Sequence, residues 1–187
     1  LCNIKIKEEN KNKDIDIKKI FISNHTSHID FLILCSVGKD NFLHNNTLIN
    51  VLNSFGLGKI NNILKDKSIC TKDQNTVKRI KKFLDKNDFL VIFPEGQRSN
   101  TKSLCKFASG AFSNNIPIQP VVIKFNKNVY FKSFSKTILN MISSNDLKVT
   151  LKYLDIEYPP FTEKKIENIR EKMALEGDLF LSDVYYK

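Results

Sequence analysis

The stretch that most constrains the fold covers residues 75–93. Residues 75–86 place Val, Ile, Phe and Leu at helical spacing with Lys and Arg between them. This pattern predicts an amphipathic helix whose charged side faces solvent. Residues 89–93 are continuously apolar, as expected of a strand that is buried on both faces of a sheet. A helix followed directly by such a strand indicates an α/β domain.

The rest of the chain repeats this alternation of strands and helices. Further strands are predicted at residues 16–22, 47–52, 68–71, 117–123 and 148–158, the last of them at a sheet edge. Further helices are predicted at residues 28–37, at 54–65 and from Thr162 onward. We therefore expect an α/β fold with a mainly parallel or mixed central sheet flanked by helices. Residues 1–14 are polar and are expected to form a frayed lead-in, with residues 15–187 forming a single domain.

The charge of the chain limits the classes of partner. Its 187 residues include 30 Lys and Arg against 20 Asp and Glu, giving a net charge of +10. Nucleic acid, an anionic membrane surface or a phosphorylated small molecule would each be a suitable partner for this charge. A general enrichment in Lys would also explain the charge without any such partner. The chain has no RNA-binding strand motif, zinc finger or basic zipper, so no nucleic acid partner is expected.

Two further observations bear on the compartment. The four Cys are widely spaced and form no C-x-x-C pair, which favours a reducing compartment over a disulfide framework. No apolar run approaches the roughly 18 to 20 residues of a membrane-spanning helix, and no secretory signal is visible. An intracellular, membrane-associated protein is expected, and the sequence leaves open an anchor upstream of Leu1.

A polar turn after the strand at residues 16–22 carries two of the three His residues. His25 and Asp30 are five positions apart, so the carboxylate can fold back onto the imidazole and make it a general base. Two alternatives remain open. Ser27 and Asp30 fit a helix capping box, and His25, His28 and Asp30 are possible metal ligands. Further ligands are scarce, because His44 lies in a polar loop, so no metal is expected.

A second polar turn, Phe-Pro-Glu-Gly-Gln-Arg-Ser at residues 93–99, follows the apolar strand. The chain has only three Arg, and Arg98 lies in this turn. Its planar guanidinium matches phosphate oxygens, and Glu95 could hold it in place or bind an acceptor hydroxyl. The alternative is an ordinary surface Glu–Arg pair of little energetic value. Because both turns follow strands of a parallel sheet, they are expected at the same edge.

The residues of both turns resemble motifs of the glycerolipid acyltransferases. Asn24-His25-x-x-x-x-Asp30 is similar to the first motif of this family, and residues 93–99 are similar to the third. Residues 106–112 resemble the segment that usually follows the third motif, with Lys and Phe exchanged, and residues 116–121 resemble the fourth. The second motif departs from the family pattern, because Asp66 replaces Gly and Lys72 replaces Arg.

The resemblance implies transfer of a fatty acyl group from acyl-CoA, or from acyl carrier protein, to a glycerolipid hydroxyl, with no further cofactor. The implied acceptor is a 1-acyl-glycerol 3-phosphate, with another lysophospholipid or glycerol 3-phosphate as alternatives. The implied roles are a base at His25 oriented by Asp30; acceptor binding by Lys72, Glu95, Gly96 and Arg98; an acyl or CoA path beside Ile116 and Pro117; and support from Asn24 and Ser99. A membrane surface, at the endoplasmic reticulum or another lipid-synthesising organelle, is the implied location. A catalytically silent lipid-binding member and a thioesterase-like hydrolase remain alternatives.

Overall fold

The computed structural model describes residues 4–14, 16–30, 33–34, 37, 42–44, 68–70, 76–85, 89–131, 133–143 and 146–184. Within these residues a central sheet has seven strands in the order β1-β8-β7-β2-β5-β3-β4. Its strands are β1 (Lys5–Glu9), β2 (Lys19–Ser23), β3 (Phe42–His44), β4 (Ser68–Cys70), β5 (Phe89–Ile92), β7 (Ile118–Phe125) and β8 (Lys148–Tyr153). A separate two-stranded parallel sheet pairs β6 (Ser103–Leu104) with β9 (Phe180–Leu181).

The central sheet is mixed. Strands β7, β2, β5, β3 and β4 run in one direction, β8 is antiparallel to β7, and β1 is parallel to β8. Ile22 near the end of β2 lies beside Ile92 at the end of β5. The turns that follow these two strands therefore leave the sheet at the same edge, as predicted, and the expected fold class is confirmed.

Side chains that alternate along β2 enter two separate cores. Ile20 and Ile22 pack on one face of the sheet, whereas Phe21 packs on the other. Helices α1 (Thr76–Leu84) and α3 (Glu163–Gly177) cover the first face. They bury Ile80, Leu84, Ile169 and Met173. The second face is covered by Ile29, Ile33 and Leu34 after the first polar turn, and a further helix, α2 (Phe134–Ser143), comes after β7.

Helix α3 begins and ends with capping groups. The Thr162 hydroxyl accepts a hydrogen bond from the Lys165 N–H at 3.2 Å, as expected of an N-cap residue. Asp178 ends the helix in the left-handed conformation, with φ 52°. The predicted start of this helix at Thr162 is therefore confirmed.

Arg170 of α3 connects the helix to the small sheet. Its side chain is buried, and its Nη1 donates to the carbonyl oxygens of Leu104 at 3.0 Å and Ser182 at 3.2 Å. These bonds hold the segment that follows the second polar turn against α3. They help to fix the position from which Cys105 contacts that turn.

Three expectations about the sheet are wrong. Residues 5–9 are not a frayed lead-in but the edge strand β1, which pairs with β8 and accepts a hydrogen bond at Glu8 Oε2 from the Tyr153 hydroxyl at 2.8 Å. Strand β8 is shorter than expected and lies between β7 and β1 rather than at the edge. His44 lies in β3, not in a loop. In each case the strand was hard to predict, because its pairing partner is more than twenty residues away or because its own sequence is polar.

Other expectations differ in extent or lie outside the described residues. Strand β2 begins at Lys19 rather than at residue 16, and α2 has no counterpart among the predicted helices. The strand predicted at residues 47–52 and the helix predicted at 54–65 lie outside the described residues. Of the four Cys, Cys105 is buried as a free thiol.

Candidate active site

Asn24 determines how the chain leaves the sheet before the first polar turn. Its side chain is 1% exposed and continues the pairing of β2 with β7. Nδ2 donates to the Ile123 carbonyl at 2.9 Å, and Oδ1 accepts from the Ile123 N–H at 2.8 Å. The next residue, His25, therefore starts from a position that two hydrogen bonds hold against β7.

The Asp30 carboxylate collects three hydrogen bonds on one oxygen. Oδ2 lies 2.7 Å from the Thr26 N–H, 2.9 Å from the Ser27 N–H and 2.9 Å from His25 Nδ1. Asp30 is fully buried. An ionised carboxylate oxygen only accepts hydrogen bonds, so Nδ1 of His25 carries the proton and Nε2 has the free lone pair. The spacing of these two residues in the sequence predicted this approach.

The His25 ring is also fixed by packing. It stacks on Phe93, with ring centroids 4.2 Å apart and an angle of 21° between the planes. About a fifth of the side chain, 21%, remains exposed to solvent. A neutral imidazole that is held on one side and open on the other can accept a proton from a bound molecule.

Glu95 binds backbone groups instead of Arg98. Oε1 accepts the His25 N–H at 2.8 Å, and Oε2 accepts the Cys105 N–H at 2.9 Å. The residue is 1% exposed, and burial raises the pKa of its carboxyl group against the opposing effect of these two hydrogen bonds. Both oxygens have backbone partners, so Glu95 does not hold Arg98 in place as the sequence suggested, and its role in acceptor binding stays a prediction. Glu95 joins the two polar turns.

Ser99 and Gly96 shape the second turn. The Ser99 N–H donates to the His25 carbonyl at 2.8 Å, which ties the residue after Arg98 to the candidate base. The Ser99 hydroxyl donates within the turn region, to the Ser103 carbonyl at 3.0 Å. Gly96 has φ 77°, a conformation that favours glycine, and its N–H closes the turn onto the Phe93 carbonyl at 3.1 Å.

Arg98 is held by two acceptors at one nitrogen. Nη1 lies 3.0 Å from His28 Nδ1 and donates to the Phe131 carbonyl at 3.1 Å. Thr137 Oγ1 of α2 lies 3.0 Å from the same His28 nitrogen. Burial, together with the positive charge of Arg98 and the neighbouring His25, lowers the pKa of His28 to about 4. His28 is therefore neutral at neutral pH.

Two predicted site residues, Ile116 and Pro117, do not join this cluster. Lys72 lies outside the described residues. Ile116 and Pro117 precede β7, and the Pro117 carbonyl accepts the N–H of Ile20 near the start of β2. Because β2 and β7 are parallel, these two residues lie at the amino-terminal ends of the strands, about 15 Å along the strand direction from His25. These two residues do not lie beside His25, and their assignment to an acyl or CoA path stays a prediction.

A family model described as Acyltransferase matches residues 3–124 of the chain. This chain belongs to the acyltransferase family. The matched range contains both polar turns, and the acyltransferase fold around them extends through β8 and α3.

Individual proteins agree with this membership. The chain is 26% identical over 177 residues to the lysophospholipid acyltransferase LPEAT2 of Arabidopsis thaliana, covering 87% of this chain and 31% of that protein. It is 27% identical over 174 residues to the human glycerol-3-phosphate acyltransferase 3, covering 86% of this chain and 40% of that protein. The acyltransferase chain thus spans well under half of the length of these two relatives.

A solved structure shares the acyltransferase fold. It is the 1-acyl-sn-glycerophosphate acyltransferase PlsC of Thermotoga maritima, with a TM-score of 0.68 and 17% sequence identity, covering 93% of this chain and 71% of that one. Among the described residues, no helix has the length and apolar character needed to cross a membrane.

Several residues of this candidate site have no signal in the sequence. The sequence suggests His28 only as a possible metal ligand, and it points to no site role for Phe93, Cys105, Phe131 or Thr137. The Phe93 ring was detectable as the aromatic residue that opens the second turn. The contacts of Phe131 and Thr137 bridge 33 and 109 residues, and no local pattern announces them.

Proposed function

We propose that this protein transfers a fatty acyl group from acyl-CoA to the hydroxyl of a 1-acyl-glycerol 3-phosphate, giving a phosphatidate. The single observation that carries this proposal is the hydrogen bond between His25 Nδ1 and Asp30 Oδ2, at 2.9 Å. Two backbone N–H groups hold the same carboxylate oxygen, so the imidazole has a fixed tautomer with Nε2 as the base.

In the proposed reaction, Nε2 of His25 takes the proton of the acceptor hydroxyl as that oxygen attacks the thioester carbonyl carbon. A carbon–oxygen bond forms and the carbon–sulfur bond breaks. The leaving thiolate takes the proton from the imidazolium and departs as the free thiol of CoA. Asp30 stabilises the imidazolium between the two proton transfers, and general-base help of this kind contributes roughly 10²- to 10⁴-fold.

The proposed acceptor rests on Arg98. The residue after it is bonded to the carbonyl of His25, so a phosphate bound at Arg98 would lie near the base. A phosphate monoester offers more free oxygens than a phosphodiester, and a guanidinium can bind two of them in parallel. The names of the relatives support two further acceptors for comparison, another lysophospholipid and glycerol 3-phosphate.

The test is an acceptor panel with one long-chain acyl-CoA and mass spectrometry of the products. Lysophosphatidate, glycerol 3-phosphate, lysophosphatidylcholine and no acceptor form its four arms. We expect kcat/KM to be largest with lysophosphatidate. Thiol release without any acceptor would instead indicate a hydrolase, and absence of release in every arm would indicate a silent lipid-binding protein.

Replacing Arg98 tests the phosphate contact. Arg98→Lys keeps the positive charge but loses the paired donors, so we expect the KM for lysophosphatidate to rise about ten- to a hundredfold, since a hydrogen bond to a charged group contributes roughly 1.5 to 3 kcal/mol. The KM for acyl-CoA should change little. Equal rises in the two constants would contradict a phosphate role for Arg98.

No metal or further cofactor is part of the proposal. Among the described residues, no cluster of three or more His, Cys, Asp or Glu side chains has the geometry of a metal site. The absence of a metal requirement stays a prediction, which activity after exhaustive chelation would test.

We also propose that the protein works at an anionic membrane surface. Residues 175–184 expose four large apolar side chains, Leu175, Phe180, Leu181 and Val184, on a chain with a net charge of +10. Binding to vesicles that contain anionic lipid should weaken as salt rises, and Phe180→Ser should weaken it further. Equal binding to neutral and anionic vesicles would contradict the electrostatic part.

A further inference from the structure

The two hydrogens on Nη1 of Arg98 are both engaged by the protein. One points to His28 Nδ1 at 3.0 Å, and the other to the Phe131 carbonyl at 3.1 Å. A guanidinium has five N–H donors and no acceptor. The contacts therefore account for two donors and leave the Nε hydrogen and both Nη2 hydrogens. Among the described residues, no hydrogen bond to these three donors is found.

The remaining donors form one edge of the guanidinium. Nε and Nη2 are the pair that binds two oxygens of a phosphate in parallel. The orientation of this edge follows from the two acceptors at Nη1, because a planar group anchored at two points on one nitrogen cannot turn freely. Phe131 supplies one anchor with its backbone, so its contribution does not depend on its side chain. His28 supplies the other with its ring.

The tautomer of the His28 ring is determined by its contact with Arg98. Arg98 can only donate, so His28 Nδ1 must be unprotonated and the ring carries its hydrogen on Nε2. Thr137 contacts the same nitrogen, with Oγ1 at 3.0 Å from Nδ1, and its hydroxyl donates to the Ser133 carbonyl at 3.1 Å. Thr137 is 1% exposed, so α2 holds it in place. Protonation of His28 would replace the acceptor by a donor and add a charge beside Arg98.

We propose that His28, supported by Thr137, is a positioning residue that aims the Nε and Nη2 edge of Arg98 at the phosphate monoester of the acceptor. This inference rests on the proposed function, because it takes the acceptor phosphate as the ligand of Arg98. On this view, the preference for monoester over diester acceptors depends on the contact between His28 and Arg98 as well as on Arg98 itself.

Two substitutions at one position separate orientation from packing. His28→Phe keeps a ring of similar size but removes the acceptor. His28→Asn places an amide oxygen near the position of Nδ1 and so keeps an acceptor for Arg98. We expect His28→Phe to raise the KM for lysophosphatidate about tenfold, the factor that corresponds to about 1.4 kcal/mol. His28→Asn should restore most of the loss, and neither variant should change the KM for acyl-CoA.

The Thr137 contact gives a second, independent variant. Thr137→Val keeps the shape of the side chain and removes the hydroxyl, so it should raise the same KM by a smaller factor than His28→Phe. Activity with lysophosphatidylcholine should respond less than activity with lysophosphatidate in all three variants. A loss that is equal in His28→Phe and His28→Asn, or equal for both substrates of the reaction, would overturn the inference and indicate a packing role.

A binding measurement keeps this inference separate from the proposed function. Titration calorimetry with glycerol 3-phosphate measures the phosphate contact without any acyl transfer, with Arg98→Lys as the reference for its loss. Weaker binding in His28→Phe with recovery in His28→Asn would support the inference even if no acyl transfer were found. Wild-type acyl transfer with unchanged acceptor KM in His28→Phe would leave the proposed function standing and refute the positioning role.

Discussion

His25→Ala is expected to lower kcat for acyl transfer by roughly 10²- to 10⁴-fold, the range that general-base catalysis contributes. The acceptor hydroxyl is a poor nucleophile near neutral pH, and Nε2 is the proposed group that takes its proton. Asp30 cannot replace the ring, because its Oδ2 is buried and bonded to two backbone N–H groups. The measurement is kcat with lysophosphatidate and one long-chain acyl-CoA.

The fold is expected to survive this substitution. Asp30 keeps the N–H groups of Thr26 and Ser27 as partners after the ring is lost, so its buried charge is not left unpaired. The main structural loss is the stack of His25 on Phe93, and an aromatic pair of this kind contributes about 0.5 to 1.5 kcal/mol. Thermal unfolding of the variant is the control. A folded His25→Ala protein with wild-type turnover would end the proposal.

Glu95→Ala is expected to cause the largest loss of stability, about 3 to 6 kcal/mol, because two hydrogen bonds to a buried carboxylate contribute roughly 1.5 to 3 kcal/mol each. The substitution also leaves the N–H groups of His25 and Cys105 without their acceptor. This loss is comparable with the whole stability of many small domains, roughly 5 to 15 kcal/mol. Chemical denaturation measures the free energy of unfolding.

Two variants control this measurement. Glu95→Gln keeps the shape and one acceptor oxygen but turns an amide towards the other N–H, so it should lie between Glu95→Ala and wild type. Glu9→Ala removes a carboxylate whose ion pair with Lys7 lies at the surface, where such pairs contribute about 0 to 1 kcal/mol. If Glu95→Ala costs no more than Glu9→Ala, the carboxylate does not join the two turns in solution.

The sequence predicted those parts of the fold and site that depend on local spacing. The five-residue interval between His25 and Asp30 and the apolar run of β5 are both local patterns, and both lead to the observed geometry. The partners of Glu95 could not be predicted in this way. They are backbone N–H groups 70 and 10 residues away, and a backbone donor has no signature in the sequence.

The edge strand shows a different limit. β1 carries four charged side chains and a polar flank, so composition alone indicated an unpaired segment. An edge strand needs apolar side chains on one face only, and here Ile6 packs into the core while its neighbours remain polar. Its place beside β8 follows from pairing across more than 140 residues, which no local pattern reveals.

The side chain of Asn24 has an effect on the chemistry of the residues that follow it. If the strand continued along β7, its next backbone N–H groups would form hydrogen bonds with that neighbouring strand. Asn24 takes over that pairing with its amide, and three consecutive N–H groups, of His25, Thr26 and Ser27, are released to bind carboxylates instead. One side chain in the sheet pairing thus leaves three backbone N–H groups available as donors. Those donors hold the carboxylates of Asp30 and Glu95 close to the candidate base, in a chain with a net charge of +10.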